Sequence, residues 1–188
     1  MRSVCVAVTA IGGLAAFASG DVICHSVAFG LARTNWSGTA DVPRFDPSLG
    51  TLNSVRIELT SNVTGSAGAE SLDAAPSTIS LHLGALVRLL RPDDSEILSV
   101  TPGTDLTFGA MAFDGTVDFA GSSGFGVSGV TAGENGAITT TDALELLLFS
   151  GTGSVLLPIH AEGSSLGSGA GNLILAFQTF ADASVEVC

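Results

Sequence analysis

Two acidic turns offer the most direct binding chemistry in this chain. Asp114-Gly115-Thr116-Val117-Asp118 places two carboxylates across a glycine turn, and Asp93-Asp94 sets a pair in another. Calcium takes roughly six to eight oxygens, several from one compact loop, so Asp114 and Asp118 are the first candidate ligands for such an ion. Neither stretch has the EF-hand spacing. An aspartate in an Asp-Gly turn ordinarily accepts local backbone N–H bonds instead, and that structural role competes with the binding role here.

Two stretches spell catalytic motifs and fail on context. Gly124-Phe125-Gly126-Val127-Ser128-Gly129 reads GxGxxG, but a dinucleotide fold requires a helix directly after it, and more Gly and Thr follow. Gly163-Ser164-Ser165-Leu166-Gly167 reads GxSxG, the nucleophile elbow of serine hydrolases. That arrangement needs an acid and a histidine later in the chain, and no histidine follows Ser165. The three histidines, His25, His82 and His160, form no short metal-binding spacing. His82 projects opposite Leu81 and Leu83, which predicts an exposed side chain, whereas His25 falls on the apolar face of its segment.

For glycans, β-sandwiches commonly present aromatic platforms, and this chain has no Tyr and one Trp. Trp36, in the polar segment Thr34-Asn35-Trp36-Ser37-Gly38, is the candidate stacking residue, with a partly buried role under the N-terminal loop as the alternative. Asn35-Trp36-Ser37 and Asn62-Val63-Thr64 are glycosylation sequons, relevant only in a host with that machinery.

The elements that must hold these residues begin after a processing signal. Arg2 is the only charge ahead of an apolar run from Val4 to Phe17, and Ala18-Ser19-Gly20 before Asp21 gives a small-x-small cleavage site. Ala16-Phe17-Ala18 offers an earlier cut. A membrane anchor is the competing reading, but it needs about 20 apolar residues. Cys24 does not make the chain a lipoprotein, since Asp21-Val22-Ile23 lacks the small residues of a lipobox. Export of residues 21–188 as one domain, secreted to the outside or associated with the cell surface, is the expectation, with no integral membrane segment after cleavage.

The mature chain carries five Arg, no Lys and 18 Asp plus Glu, a formal net charge of −13. Nucleic acid and other polyanions are excluded as general partners, because neutralising phosphates takes clustered Lys or Arg. A hydrophobic content of 46% argues against disorder, and 24 Gly in 188 residues point to many turns between short strands.

Of the three cysteines, Cys5 leaves with the signal. Cys24 lies opposite Ile23, Val27 and Phe29 on the more polar face of an N-terminal strand. Cys188 lies opposite Val185 and Val187 on the matching face of a C-terminal one. A Cys24–Cys188 disulfide joining neighbouring terminal strands is predicted, with two free or intermolecular thiols as the alternative.

Alternation identifies the strands. Ser54-Val55-Arg56-Ile57-Glu58-Leu59-Thr60 has strict period two, and Ile79, Leu81 and Leu83 continue the pattern in 77–90, where Gly84 permits a bend. Arg91-Pro92-Asp93-Asp94 is a turn leading to a return strand at Glu96–Val100. Further strands are expected at about 104–112, 115–119, 124–130, 153–160, 172–180 and 183–187. Such a series favours a two-sheet antiparallel β-sandwich, jelly-roll or Greek-key-like. Within it, Asp142 as N-cap and Glu145 three residues on predict a short helix near 142–149, capping an open end; another buried strand is the alternative. The Gly/Ser-rich stretches at 120–129 and 163–171 read as loops.

FDPSLGTL at 45–52, followed by the alternating NSVRIEL at 53–59, resembles the opening signature of the choice-of-anchor E domain, a bacterial extracellular module fused to different cell-surface anchors. Similarity returns at Phe113-Asp114-Gly115-Thr116-Val117-Asp118-Phe119-Ala120-Gly121 and Ser123-Gly124. It resumes at Thr141-Asp142, Leu148-Phe149-Ser150-Gly151-Thr152-Gly153, Leu157-Pro158 and Gly169-Ala170-Gly171-Asn172. Each fragment is turn chemistry, and their order and spacing carry the resemblance. It implies a sandwich and no transferable activity. Family members continue into a sorting tail; this sequence stops at Val187-Cys188, so release, or retention through noncovalent or disulfide contacts, is expected in place of anchoring.

These readings converge on an exported, non-enzymatic β-sandwich with a structural or interaction role at a bacterial surface or extracellular matrix. Other surface or matrix components or glycans are the expected partners. No cofactor is expected, calcium excepted. A glycan- or calcium-binding module is the alternative, and an extracellular hydrolase the second.

Overall fold

The computed structural model describes residues 20–188, so the predicted leader lies outside the described residues apart from Gly20. In chain order the strands are β1 (His25–Arg33), β2 (Trp36–Pro43), β3 (Val55–Ser71), β4 (Ser77–Leu90), β5 (Glu96–Val100) and β6 (Gly103–Ala110), then β7 (Gly124–Thr140), β8 (Ser154–Gly163), β9 (Leu166–Ser168) and β10 (Leu173–Val187). A 3₁₀ turn occupies Pro47–Leu49, and one helix, α1, spans Ala143–Leu148.

All strand ladders are antiparallel. Sheet A has the order β1-β10-β3-β7. In sheet B, β5 and β6 lie end to end along one edge of β4, since Val87 pairs Val100 and Gly84 pairs Gly103 in one register. On the other edge β8 and β9 do the same around Ser164-Ser165, with Ala85 opposite Gly163 and His82 opposite Leu166. Counting each broken pair as one interrupted strand gives four strands per sheet, and sheet B runs β2-β8/β9-β4-β5/β6. Consecutive strands mostly alternate between the sheets. This is the jelly-roll order, and the two-sheet sandwich expected from the alternation is present.

The core is the shared inner face. Val55, Ile57, Leu59 and Val63 of β3 meet Ile79, Leu81, Leu83, Val87 and Leu89 of β4, all buried, with Leu157 and Ile159 of β8 and Ala181, Ala183 and Val185 of β10. Each fully buried Leu or Ile contributes about 1.5–3 kcal/mol over exposure, so period-two patterning fixes which face turns inward.

At one end of the sandwich α1 forms where it was expected. Asp142 caps it, its Oδ1 accepting from the amides of Leu144 (2.9 Å) and Glu145 (3.2 Å). Glu145 does not complete a capping box; it takes the Arg91 guanidinium at 2.9 Å and ties the helix to the β4–β5 turn. FDPSLG lies beside it. Phe45 exchanges backbone bonds with Phe149 and Gly151, and Asp46 caps the 3₁₀ turn through the Ser48 amide at 2.8 Å.

Five expectations need correction. No strand forms at 115–119, where the chain is a loop. The strand expected at 124–130 continues to Thr140, and those at 172–180 and 183–187 are one strand, β10. The 163–171 stretch is broken by β9, and β2 lies where only a polar segment was expected.

Candidate functional site

The opposite end of the sandwich is organised by carboxylates. Glu70, near the end of β3, is fully buried although it carries an acid. Its inward neighbours Ala69 and Ser71 place it on the outer face of sheet A, where the 111–123 loop folds over it. Oε1 accepts the Ser123 hydroxyl at 2.6 Å; Oε2 accepts the amides of Phe119 at 2.8 Å and Asp118 at 3.4 Å. A buried carboxylate with no cation beside it is costly, and three donors on two oxygens are what offset that cost.

The predicted calcium candidates belong to this same loop. Asp114 Oδ1 accepts from the Thr116 amide at 3.1 Å and its Oδ2 from the Ser122 amide at 3.3 Å. The Thr116 amide is the largest influence holding the Asp114 carboxyl below the usual aspartate value of 3.8, against a desolvation effect that raises it. Asp118 Oδ1 accepts from the Ala120 amide at 2.9 Å. Asp73 does likewise for Gly171 (2.7 Å) and Asn172 (3.0 Å). Both candidates are engaged in shaping backbone. Among the described residues the one cluster of three potential ligand side chains within 4.8 Å is Cys24, Glu186 and Cys188, and two of those sulfurs are bonded to each other.

The loop carries one aromatic side chain to the sheet surface. Phe119 adopts φ 56°, unusual for a residue with a side chain, and its ring lies over Gly68, where a Cβ would approach it to 3.1 Å. Beside it an open groove of about 390 Å³ crosses the outer faces of β10, β3 and β7. Strand register sets its lining in two rows. Gln178, Ser66 and Ser128 are successive cross-strand partners, and so are Ala176, Gly68 and Gly126. A bulge lies at the first row, where the β3–β7 register slips between Gly65 and Ser66 and Gly129 takes φ 69°.

Trp36 is not an open platform. Its indole N–H donates to the Ala181 carbonyl at 3.1 Å, its ring stacks on Phe29 at 5.7 Å, and it packs on the margin of the core. That matches the partly buried alternative.

The outer face of sheet B assembles what the spacing of the motifs did not suggest. His82 projects outward as expected, and its Nδ1 meets Asp105 Oδ1, on its cross-strand partner, at 2.8 Å. The imidazole lies against Gly84 and Gly103. A Cβ at Gly84 would stand 2.5 Å from His82 Nε2 and 2.9 Å from Ser164 Oγ. Asp, His and Ser thus gather on one surface, but no hydrogen bond links His82 Nε2 to Ser164, and Asp105 is 85% exposed. The serine of the GxSxG spelling, Ser165, is turned the other way, towards Gly84 N at 3.2 Å and Thr179 Oγ1 at 3.0 Å. Residues 124–129 open β7, which runs on as strand to Thr140 with no helix directly after the glycines, so the GxGxxG spelling has no phosphate-binding context.

The predicted disulfide is present. Cys24 and Cys188 are bonded with Cα atoms 4.1 Å apart, one pair beyond the His25–Val187 rung of the β1–β10 ladder. Cys188 also exchanges backbone bonds of 2.8 and 2.9 Å with Arg56 of β3. Among the described residues no helix is long and apolar enough to cross a membrane.

Sequence signals for this end were partial. Glu70 stands out only as an acid at the end of a strand rich in Ala and Gly, and Phe119 only as the aromatic of the 113–121 fragment.

No protein-family model matches the chain, and no curated protein matches it. Among solved structures it is similar to that of the infectious bursal disease virus Gx strain, at 15% identity and a TM-score of 0.28. It is also similar to that of the Gt strain of the same virus, at 13% identity and a TM-score of 0.15. Each alignment covers 87% of this chain; the chain spans 28% of the first structure's length and 39% of the second's.

Proposed function

We propose that this protein is an exported, non-enzymatic β-sandwich with a structural or interaction role at a bacterial surface or in an extracellular matrix. The observation that carries the reading is the Cys24–Cys188 bond. Disulfides persist in oxidising compartments, and this one fastens the first strand of the domain to the last. The use made of the carboxylates supports it further: Glu70, Asp73, Asp114 and Asp118 accept backbone or hydroxyl bonds that fix loops. The resemblance of FDPSLGTL and its companion fragments to the choice-of-anchor E domain agrees with both.

Expression of the full chain in a bacterial host, followed by fractionation, N-terminal sequencing and thiol counting, tests the reading. The expected product is extracellular, begins near Asp21, has no titratable thiol when denatured without reductant, and cosediments with insoluble extracellular material. Cytoplasmic protein with two free thiols, or steady turnover of simple ester or glycoside substrates, overturns it.

A further inference from the structure

We propose that the groove beside Phe119, on the outer face of sheet A, binds a neutral saccharide. The inference rests on the interaction-module reading and names the class of ligand.

Register builds the site. The row Gln178–Ser66–Ser128 sets an amide and two hydroxyls across three neighbouring strands, spanning roughly 10 Å at the usual strand spacing. None of the three side chains is hydrogen-bonded within the described residues, so all three are free to meet a ligand. An amide offers two donors and an acceptor, and each hydroxyl can do both, which suits the mixed demands of sugar hydroxyls. The adjacent row, Ala176–Gly68–Gly126, holds the floor flat and low. Over it stands the Phe119 ring, the apolar face on which the C–H side of a pyranose packs.

The ring is held before any ligand arrives. Glu70, fully buried, fixes the Phe119 amide, and Gly68 leaves room for the ring. An aromatic held at positive φ by a buried carboxylate loses little freedom on binding. Charge selects the class. No Arg or His lines the groove, and the mature chain carries −13, so a uronate, sulfate or phosphate finds no counter-charge.

Titration calorimetry on disulfide-intact residues 21–188 tests this with cellohexaose, maltohexaose and mannohexaose as neutral probes and oligogalacturonate as the acidic control. Binding of at least one neutral hexaose, with none of the acidic one, is expected. Phe119→Gly, which removes the ring and relieves the backbone, weakens it at least tenfold. Ser128→Trp, a change at an exposed position, abolishes it while the thermal midpoint stays within a few degrees of the parent, so the inference remains testable if Phe119→Gly impairs folding. Absence of binding to every neutral hexaose at millimolar concentration, preference for oligogalacturonate, or binding indifferent to Ser128→Trp overturns the inference. Cosedimentation with extracellular material that survives such a result leaves the module reading standing.

Discussion

Glu70 gives the sharpest test of how the 111–123 loop is held. Glu70→Ala removes the acceptor for the Ser123 hydroxyl and for the Phe119 and Asp118 amides at once. A buried donor left without a partner costs about 1–3 kcal/mol, and the Asp118 bond, at 3.4 Å, counts least. Two strong contacts therefore set an expected loss of about 2–6 kcal/mol. Glu70→Gln keeps the volume and one acceptor. Its amide nitrogen has to face either two N–H groups or a Ser123 oxygen that already accepts from Asp114 N at 3.2 Å, and a loss of about 1–2 kcal/mol follows. Urea unfolding of disulfide-intact residues 21–188 measures the global term, and native-state hydrogen exchange at the Phe119 amide measures the local one. A cycle with Ser123→Ala should return a coupling of about 1–2 kcal/mol. Glu70→Ala within about 0.5 kcal/mol of the parent, with the Phe119 amide still protected, refutes the reasoning.

Two further outcomes are expected. Reduction of Cys24–Cys188, or Cys188→Ser, opens a loop with a sequence separation of 164, worth about 5 kcal/mol in the chain-entropy account. At about 2.1 cal/mol/K per residue, the thermal midpoint falls by roughly 14 °C; a fall below about 3 °C in calorimetry contradicts that account. Stability should also hold steady through neutral pH and decline as pH falls through and below the usual aspartate value of 3.8. Asp46, Asp93 and Asp114 are each held below that value, mainly by the Ser48 amide, the Ser95 hydroxyl and the Thr116 amide respectively. Because their folded affinities for protons are the weaker, the unfolded chain takes up protons first and acid favours it. Urea midpoints against pH check this, and Asp114→Asn should flatten the acid limb.

How much was legible in the sequence depended on side-chain size. Where the inward face carries Val, Ile and Leu, as in β4 and the first half of β3, period two was readable and correct. Where it carries Trp36, Gly38, Ala40 and Val42 in β2, or Ala67, Ala69 and Ser71 in the second half of β3, small residues lower the apolar signal and the strands were missed. At 115–119 the alternation was real, but Asp114 and Asp118 accept their own neighbours' amides and Glu70 takes two more, which turns the segment into a loop. Asp142 signalled α1 because a cap is a local bond. The groove was not legible, since Gln178, Ser66 and Ser128 meet through strand register alone.

The bond between Cys24 and Cys188 also decides what happens when the domain is pulled. Tension entering ahead of β1 and leaving past β10 passes from one cysteine to the other through the sulfur bridge, and the 164-residue separation between them carries no load. The ladders of both sheets, the groove on sheet A and the Glu70-held loop are mechanically shunted. Set into a stretched matrix, such a unit behaves as a short inextensible link that keeps the outer face of sheet A in shape under strain, and a reducing agent converts the same unit into a shear-loaded sandwich able to unravel.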